Sequence, residues 1–338
     1  MAATADEHLK LAEEVPLDPA LEICDAHHHL WERAGERYFL DDLLQDTGSG
    51  HNIVSTVAIE CRAMYRKDGP DELKPVGETE FLESVAARAA VDSTAKTRVA
   101  AAIVGHADLR LGDAVAAVLE AHLATSPGRF RGIRHSTTWD AGDAIRSDAP
   151  AGLLSDTVFR RGISCFERFG LSFDAWLYHP QLCELVDLAG AFPAVTIILN
   201  HVGGPLGVGP YAGKRDDVFQ AWSKGIAALA ERPNVVVKLG GLGSERSGFG
   251  WHQRTLRPTS SELAEVVSPY FEFCIEKFSP YRCMFESNFP VEKRANSYVA
   301  VWNAFKRIAR RYSGDERRAL FHDTAARVYR IGPVRPLQ

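Results

Sequence analysis

The feature that most constrains this chain is one alternation repeated along its whole length: a short apolar run, then a stretch with helical periodicity, eight times over. The apolar runs are Leu21–His27, Ile53–Glu60, Arg98–Val104, Phe130–His135, Leu171–Leu177, Val195–Asn200, Asn234–Leu239 and Arg282–Ser287. Their starts lie about 24 to 48 residues apart, which leaves room each time for a crossover helix between parallel strands. Glu80–Ala90, Gly112–Leu123, Gly152–Phe169, Gln181–Ala191, Asp217–Ala230, Ser261–Phe278 and Ser297–Tyr312 read as helices. Glu316–Tyr329 supplies the eighth, with Ser313 to Asp315 as its capping residues. Runs such as Val235-Val236-Val237 and Ile197-Ile198-Leu199 carry no polar alternation, as expected of strands covered on both faces. Eight such units in order predict an α/β fold, a single (β/α)8 TIM barrel with long βα loops; an open doubly wound sheet is the competing architecture.

Three connections rich in Gly, Pro or charge, Arg62–Thr79, Gly203–Asp216 and Gly240–Ser260, each follow a strand. In a barrel they belong to the C-terminal face, where active sites are built. With no repeat, low-complexity segment or linker, residues 1–338 are expected to form one domain with a core of about 22–331.

A chain of 338 residues that is 46% hydrophobic can bury such a core. Its net charge of -5 and lack of a basic run exclude nucleic acid and anionic membranes as expected partners, leaving a small-molecule substrate; a homo-oligomer is compatible. Met1 to Val15 is acidic and lacks an apolar core, so it reads as neither signal nor transit peptide. No apolar run approaches the roughly 18 residues needed to cross a bilayer. The six cysteines form no C-x-x-C pair and read as buried free thiols, so a soluble, cytoplasmic protein is expected.

The chemistry concentrates at strand ends. Asp25-Ala26-His27-His28-His29 closes the first strand, and alternation places His27 and His29 on one face and His28 on the other. Two imidazoles on one face can bind one metal or one substrate oxygen. Asn200-His201-Val202-Gly203-Gly204 puts His201 at the mouth of the sixth strand, beside glycines that let backbone approach a ligand. In the eighth, Glu286 and Asn288 share a face by period two, and Pro290 marks the strand's end. A carboxylate in so apolar a strand is costly unless paired or functional.

Together, the strand-one H-x-H, the strand-six His-Val-Gly-Gly-Pro, the strand-seven Val-Lys-Leu-Gly-Gly and the strand-eight Ser-x-x-Pro resemble the amidohydrolase superfamily, in its "amidohydrolase 2" branch of TIM-barrel hydrolases. The resemblance runs from about Glu22 to Ile331 and implies lactone-opening enzymes, such as those acting on pyrone dicarboxylates, sugar lactones and sulfomuconolactone. It implies that His27, His29 and His201 contact the substrate carbonyl or a metal. At position 288 the family pattern has Asp, the usual general base, whereas an amide accepts no proton near neutral pH.

Three readings of that departure stay open: Glu286 takes over as base or ligand, Asn288 only hydrogen-bonds the substrate while His201 acts as base, or the chain is no longer a hydrolase. The fourth and fifth strands lack the bridging Lys of binuclear members, so at most one divalent ion is implied, zinc first, held by His27, His29, His201 and Glu286. Metal-free relatives make a metal-independent site the alternative. Arg134 and His135 end the fourth strand, and an Arg fork suits a carboxylate. Lys238, isolated in an apolar strand, is expected to reach the barrel mouth and bind a substrate anion or pair with Glu286. Arg62 and Tyr65 on the loop after strand two, and His179 before Pro180, are further candidates for substrate contact. His8, His51, His106, His122, His252 and His322 read as ordinary. The expected reaction is hydrolysis of a carboxylated or hydroxylated cyclic ester by activated water, with non-oxidative decarboxylation or non-catalytic small-molecule binding as alternatives.

Overall fold

The computed structural model describes residues 14–33, 35–92 and 95–332; His8 and most of the acidic N-terminal stretch lie outside them. Eight strands form one parallel sheet in sequence order: β1 Glu22–His28, β2 Asn52–Ile59, β3 Arg98–Gly105, β4 Phe130–Ser136, β5 Ser172–Trp176, β6 Ile197–Leu199, β7 Val235–Leu239 and β8 Cys283–Phe285. The sheet curls until its ends meet. His29 N–H donates to the Phe289 carbonyl at 2.8 Å, Asn288 N–H donates to the His27 carbonyl at 2.9 Å, and His28 and Phe289 form a parallel bridge. The barrel therefore closes above the end of β8, through the segments that carry the histidines and Asn288. This is the (β/α)8 architecture, not the open sheet.

The helices between strands are α1 Leu40–Thr47, α2 Val76–Val91, α3 Val115–Thr125, α4 Thr157–Phe169, α5 Leu182–Ala191, α6 Arg215–Ala230, α7 Ser260–Phe278 and α8 Tyr298–Ile308. Their starts follow local chemistry. Asp156 caps α4, a Thr259–Glu262 capping box opens α7, and Ser297 caps α8, each satisfying N–H groups that a first turn leaves open. The helix expected over 316–329 is divided into α9 Gly314–Arg318, a π-turn Ala319–Asp323 and α10 Thr324–Val328. Two elements went unanticipated: α1, and a hairpin of Trp31–Arg33 with Glu36–Tyr38.

The barrel interior is packed, not hollow. Cys24, Ala26, Val57, Ile59, Ala102, Val104, Ile198, Val236 and Met284 fill it, and Tyr329 enters behind α10 as a plug. The larger apolar cluster lies between strands and helices and includes Trp222, Phe166, Phe271 and Trp302. Burying side chains of this size stabilises by ~1.5–3 kcal/mol each. One irregularity matters for function. Simple alternation from Cys24 and Ala26 would keep even-numbered residues inside, yet the β1–β2 register shifts between Asp25 and His28. The shift turns His27 and His29 inward above that layer.

Candidate active site

At the C-terminal face, a cavity of about 180 Å3 opens between the strand ends. His29, Glu60, Arg62, His106, Arg134, Trp176, His201, Gly241 and Asn288 line it, with Arg33, Arg146 and Arg246 from the loops and hairpin.

His29 lines this cavity and the fully buried His27 lies next to it, their Nε2 atoms 3.1 Å apart. His29 Nδ1–H donates to the Ile59 carbonyl at 2.9 Å, which leaves its Nε2 an acceptor; His27 Nδ1 meets Lys238 Nζ at 3.2 Å, and His27 Nε2 faces both His29 Nε2 at 3.1 Å and the Arg134 guanidinium at 3.3 Å. Burial, reinforced for His27 by Lys238 and for His29 by Arg134, holds both well below the ordinary imidazole value, so both are neutral. His28 faces the other way, where it meets Thr56 Oγ1 at 2.9 Å.

His201 follows β6 in the left-handed region (φ 51) and is held there by Glu286. Its Nδ1–H donates to Glu286 Oε1 at 2.6 Å, and its backbone N–H reaches the same oxygen at 3.2 Å. The ring fits because residue 241 is glycine, since a Cβ there would lie 2.4 Å from the ring. Trp176 packs edge-on at 4.8 Å. Glu286 itself is fully buried behind His201 and does not line the main cavity. It therefore does not share a face with Asn288 in the way strand periodicity predicts: β8 ends at Phe285, and Asn288 takes a left-handed conformation (φ 54). Asn288 does line the cavity.

A metal would find ligands here. Glu286 Oε2 lies 2.9 Å from His27 Nδ1 but out of hydrogen-bond alignment, so this buried oxygen has no hydrogen-bond partner among the described residues. One atom from each of His27, His201 and Glu286 lies within 4.8 Å of the others. Two imidazoles and a carboxylate suit zinc, so these residues fit a divalent ion. His29 stands beside that set rather than in it, because Nδ1 is committed to Ile59 and Nε2 to His27.

Several expected substrate contacts lie elsewhere. Lys238 does not reach the mouth: it is fully buried on the barrel axis, 2.9 Å from Asp174 Oδ1, which also accepts from Asn200 and Tyr329. An ammonium held there supports His27 from below and cannot touch a ligand. Arg134 reaches the cavity, but its guanidinium is committed to Glu60 at 2.7 Å, to the Glu60 carbonyl and to His27 Nε2 at 3.3 Å. Burial alone would raise Glu60; Arg134 outweighs it and holds the carboxyl below its usual range. His135 and Tyr65 line a side cavity that shares Arg62 and His106 with the main one. His179 packs against Tyr211 and accepts from Leu206 N–H, outside the main cavity.

Sequence reasoning passed over Glu60, His106, Trp176 and the loop arginines. Glu60 and His106 each directly follow a strand, so strand-end position could have flagged them. Arg33, Arg146 and Arg246 leave no local signal, since tertiary folding brings them in. Arg62 and Arg246 form no ion pair among the described residues, whereas Arg146 is neutralised by Asp148 and Arg134 by Glu60. The cavity therefore carries unspent positive charge.

Residues 24–331 match a family model described as amidohydrolase. An uncharacterised protein of Sinorhizobium fredii is 35% identical, over 91% of this chain and 98% of its own length. An L-fucono-1,5-lactonase of Burkholderia ambifaria is 29% identical, over 91% and 95%. A solved amidohydrolase of Burkholderia multivorans with bound zinc is 26% identical, with a TM-score of 0.70 over 91% of this chain and 99% of that one.

Proposed function

The chain belongs to the amidohydrolase family, and from that premise we propose that it opens a small carboxylated or hydroxylated lactone with activated water. The observation that carries this reading is the His201–Glu286 pair beside His27 and His29, at a cavity walled by arginines. The similarity to a sugar lactonase supports a cyclic ester as substrate.

The chemistry follows from the donors and acceptors. With Nδ1–H given to Glu286, His201 keeps an unshared pair on Nε2, and that nitrogen is the base for the attacking water. Glu286 does not meet the water; it orients the ring and stabilises the imidazolium formed when the proton arrives. The proton then passes to the ring oxygen as the acyl–oxygen bond breaks, giving a hydroxy acid. A divalent ion held by His27, His201 and Glu286 would draw on the His201 lone pair in place of that base role, and would supply Lewis-acid polarisation and a more acidic water. Arg62 and Arg246 would hold a carboxylate of the substrate, because neither forms an ion pair among the described residues. Neutral sugar lactones, lacking that carboxylate, would use the cavity less fully. Six free cysteines and a family of small-molecule enzymes support a reducing, cytoplasmic setting.

A panel of carboxylated and neutral lactones assayed by proton release, with metal content measured on the same sample, tests the reading. Turnover of a carboxylated lactone that falls in a His201→Ala variant is expected. A folded protein that opens no lactone, with or without added zinc, sinks it.

A further inference from the structure

One buried acid near the cavity has no part in the reaction above. Glu78 stands in the first turn of α2, is 2% exposed, and forms no ion pair with lysine or arginine among the described residues. It faces the loop that follows β2 instead. Glu78 Oε1 accepts the backbone N–H of Cys61 at 2.9 Å and that of Ala63 at 3.2 Å, and the Cys61 thiol donates to the same oxygen at 3.3 Å. The loop lies close on the start of α2, since a Cβ on Gly77 would fall 2.5 Å from Arg66 N and 2.6 Å from the Met64 carbonyl oxygen.

The residue between the two gripped amides is Arg62. Its backbone is left-handed (φ 61), as is that of Met64 (φ 51). A residue with a side chain keeps that conformation only where its surroundings enforce it. Arg62 is exposed, forms no ion pair among the described residues, and lines both the main cavity and the side cavity of about 290 Å3, which share Arg62, His106 and Asp148. We propose that Glu78 is a positioning residue for Arg62: by holding the amides on either side, it fixes the turn that presents this guanidinium at the junction of the two cavities, to bind an anionic group of the substrate. One oxygen is enough for the grip. Oε2 is buried and has no hydrogen-bond partner among the described residues. Burial, with the Glu60 charge nearby, pushes the Glu78 pKa up to about 8. The neutral acid keeps a carbonyl oxygen for the same three donors, and so does an amide. Glutamine, but not alanine, therefore serves at position 78. The use of Arg62 on substrate rests on the lactonase reading; the grip on the loop does not.

Amide hydrogen exchange followed by NMR tests the grip. In the native protein the Cys61 and Ala63 amides are expected to exchange at least about a hundredfold more slowly than amides of an open loop. Exchange as fast as in an open loop overturns the proposal. Glu78→Ala should speed both amides by about tenfold or more, and Glu78→Gln should leave both within about threefold of native. Unchanged exchange in the Ala variant, or both amides freed in the Gln variant, also overturns it; should Glu78→Ala not fold, the native and Gln measurements decide. On a carboxylated lactone that turns over, Glu78→Ala is expected to raise KM by about tenfold with kcat within about twofold, to spare a neutral lactone, and to add nothing in an Arg62→Ala background. Equal losses on both lactones, or losses that add in the double variant, overturn action through Arg62. A lactone panel with no turnover would fail the functional reading, while the exchange rates still decide the grip.

Discussion

Individual side chains at this site divide into those that meet the cavity and those that act through a neighbour. Glu286 is of the second kind, because both its oxygens face imidazole nitrogens and neither lines the main cavity. Glu286→Gln removes the charge that stabilises His201 after proton uptake. Steady-state kinetics should show kcat reduced by about 10²-fold or more with KM nearly constant. A raised KM with unchanged kcat would instead mean that Glu286 touches substrate. Lys238 is a buried strut. Lys238→Met leaves Asp174 without its cation in a site closed to water, and denaturant unfolding should show a loss of about 3–5 kcal/mol. The sequence marked Lys238 as unusual through its isolation among valines, but the expectation that it reaches the mouth fails, because the side chain turns into the barrel. Its direction depends on Asp174 and Tyr329, which are distant in the chain.

Strand ends and the turns beyond them decide which side chains converge. The β7 extension, Leu239-Gly240-Gly241, runs beneath His201, and the contact allows no side chain at 241. Gly241 also sits at φ 75, so Gly241→Ala carries backbone strain as well as a clash. Expected is a loss of most activity with the far-UV signature of the barrel retained, and a crystal structure should show the His201 ring moved off Glu286. On the far side of the barrel, His122 ties α3 to neighbouring elements: Thr79 Oγ1 donates to Nδ1 at 2.8 Å, Nε2–H donates to the His106 carbonyl at 3.0 Å, and the ring stacks on Phe130. Burial lowers its pKa from 6.5 to about 4. The unfolded chain therefore binds a proton before the folded one does, and the contribution of His122 fades as pH falls from 6.5 toward 4. The stability gap between the native protein and a His122→Gln variant should narrow across that window in urea unfolding; a gap independent of pH would contradict it. Most element types were legible because apolar runs and 3.6-residue periodicity are local. The Ser313–Glu316 cap showed where the last helical segment begins, but not the π-turn that divides it.

For the molecule as a whole, no helix among the described residues is long and apolar enough to cross a membrane, and the one parallel sheet gathers strand ends from the length of the chain. What the sequence by itself determined is the repeated β–α unit, the order of the strands, and the strand-end histidines His27, His29 and His201 as the chemically active set to examine. These are readable because burial pattern and chain order are local properties. Tertiary structure alone decided the rest. The register shift in β1 sets which residues face inward, and closure of the ring through Asn288 and His27 places the eighth strand's acids. Glu286 then falls behind His201 rather than beside Asn288, Lys238 falls to the barrel axis, and arginines from separate loops supply the cavity's charge. Each outcome depends on contacts between residues far apart in the chain, and a side chain's direction at a strand end is set by the neighbour it meets across the barrel, not by the residues on either side of it.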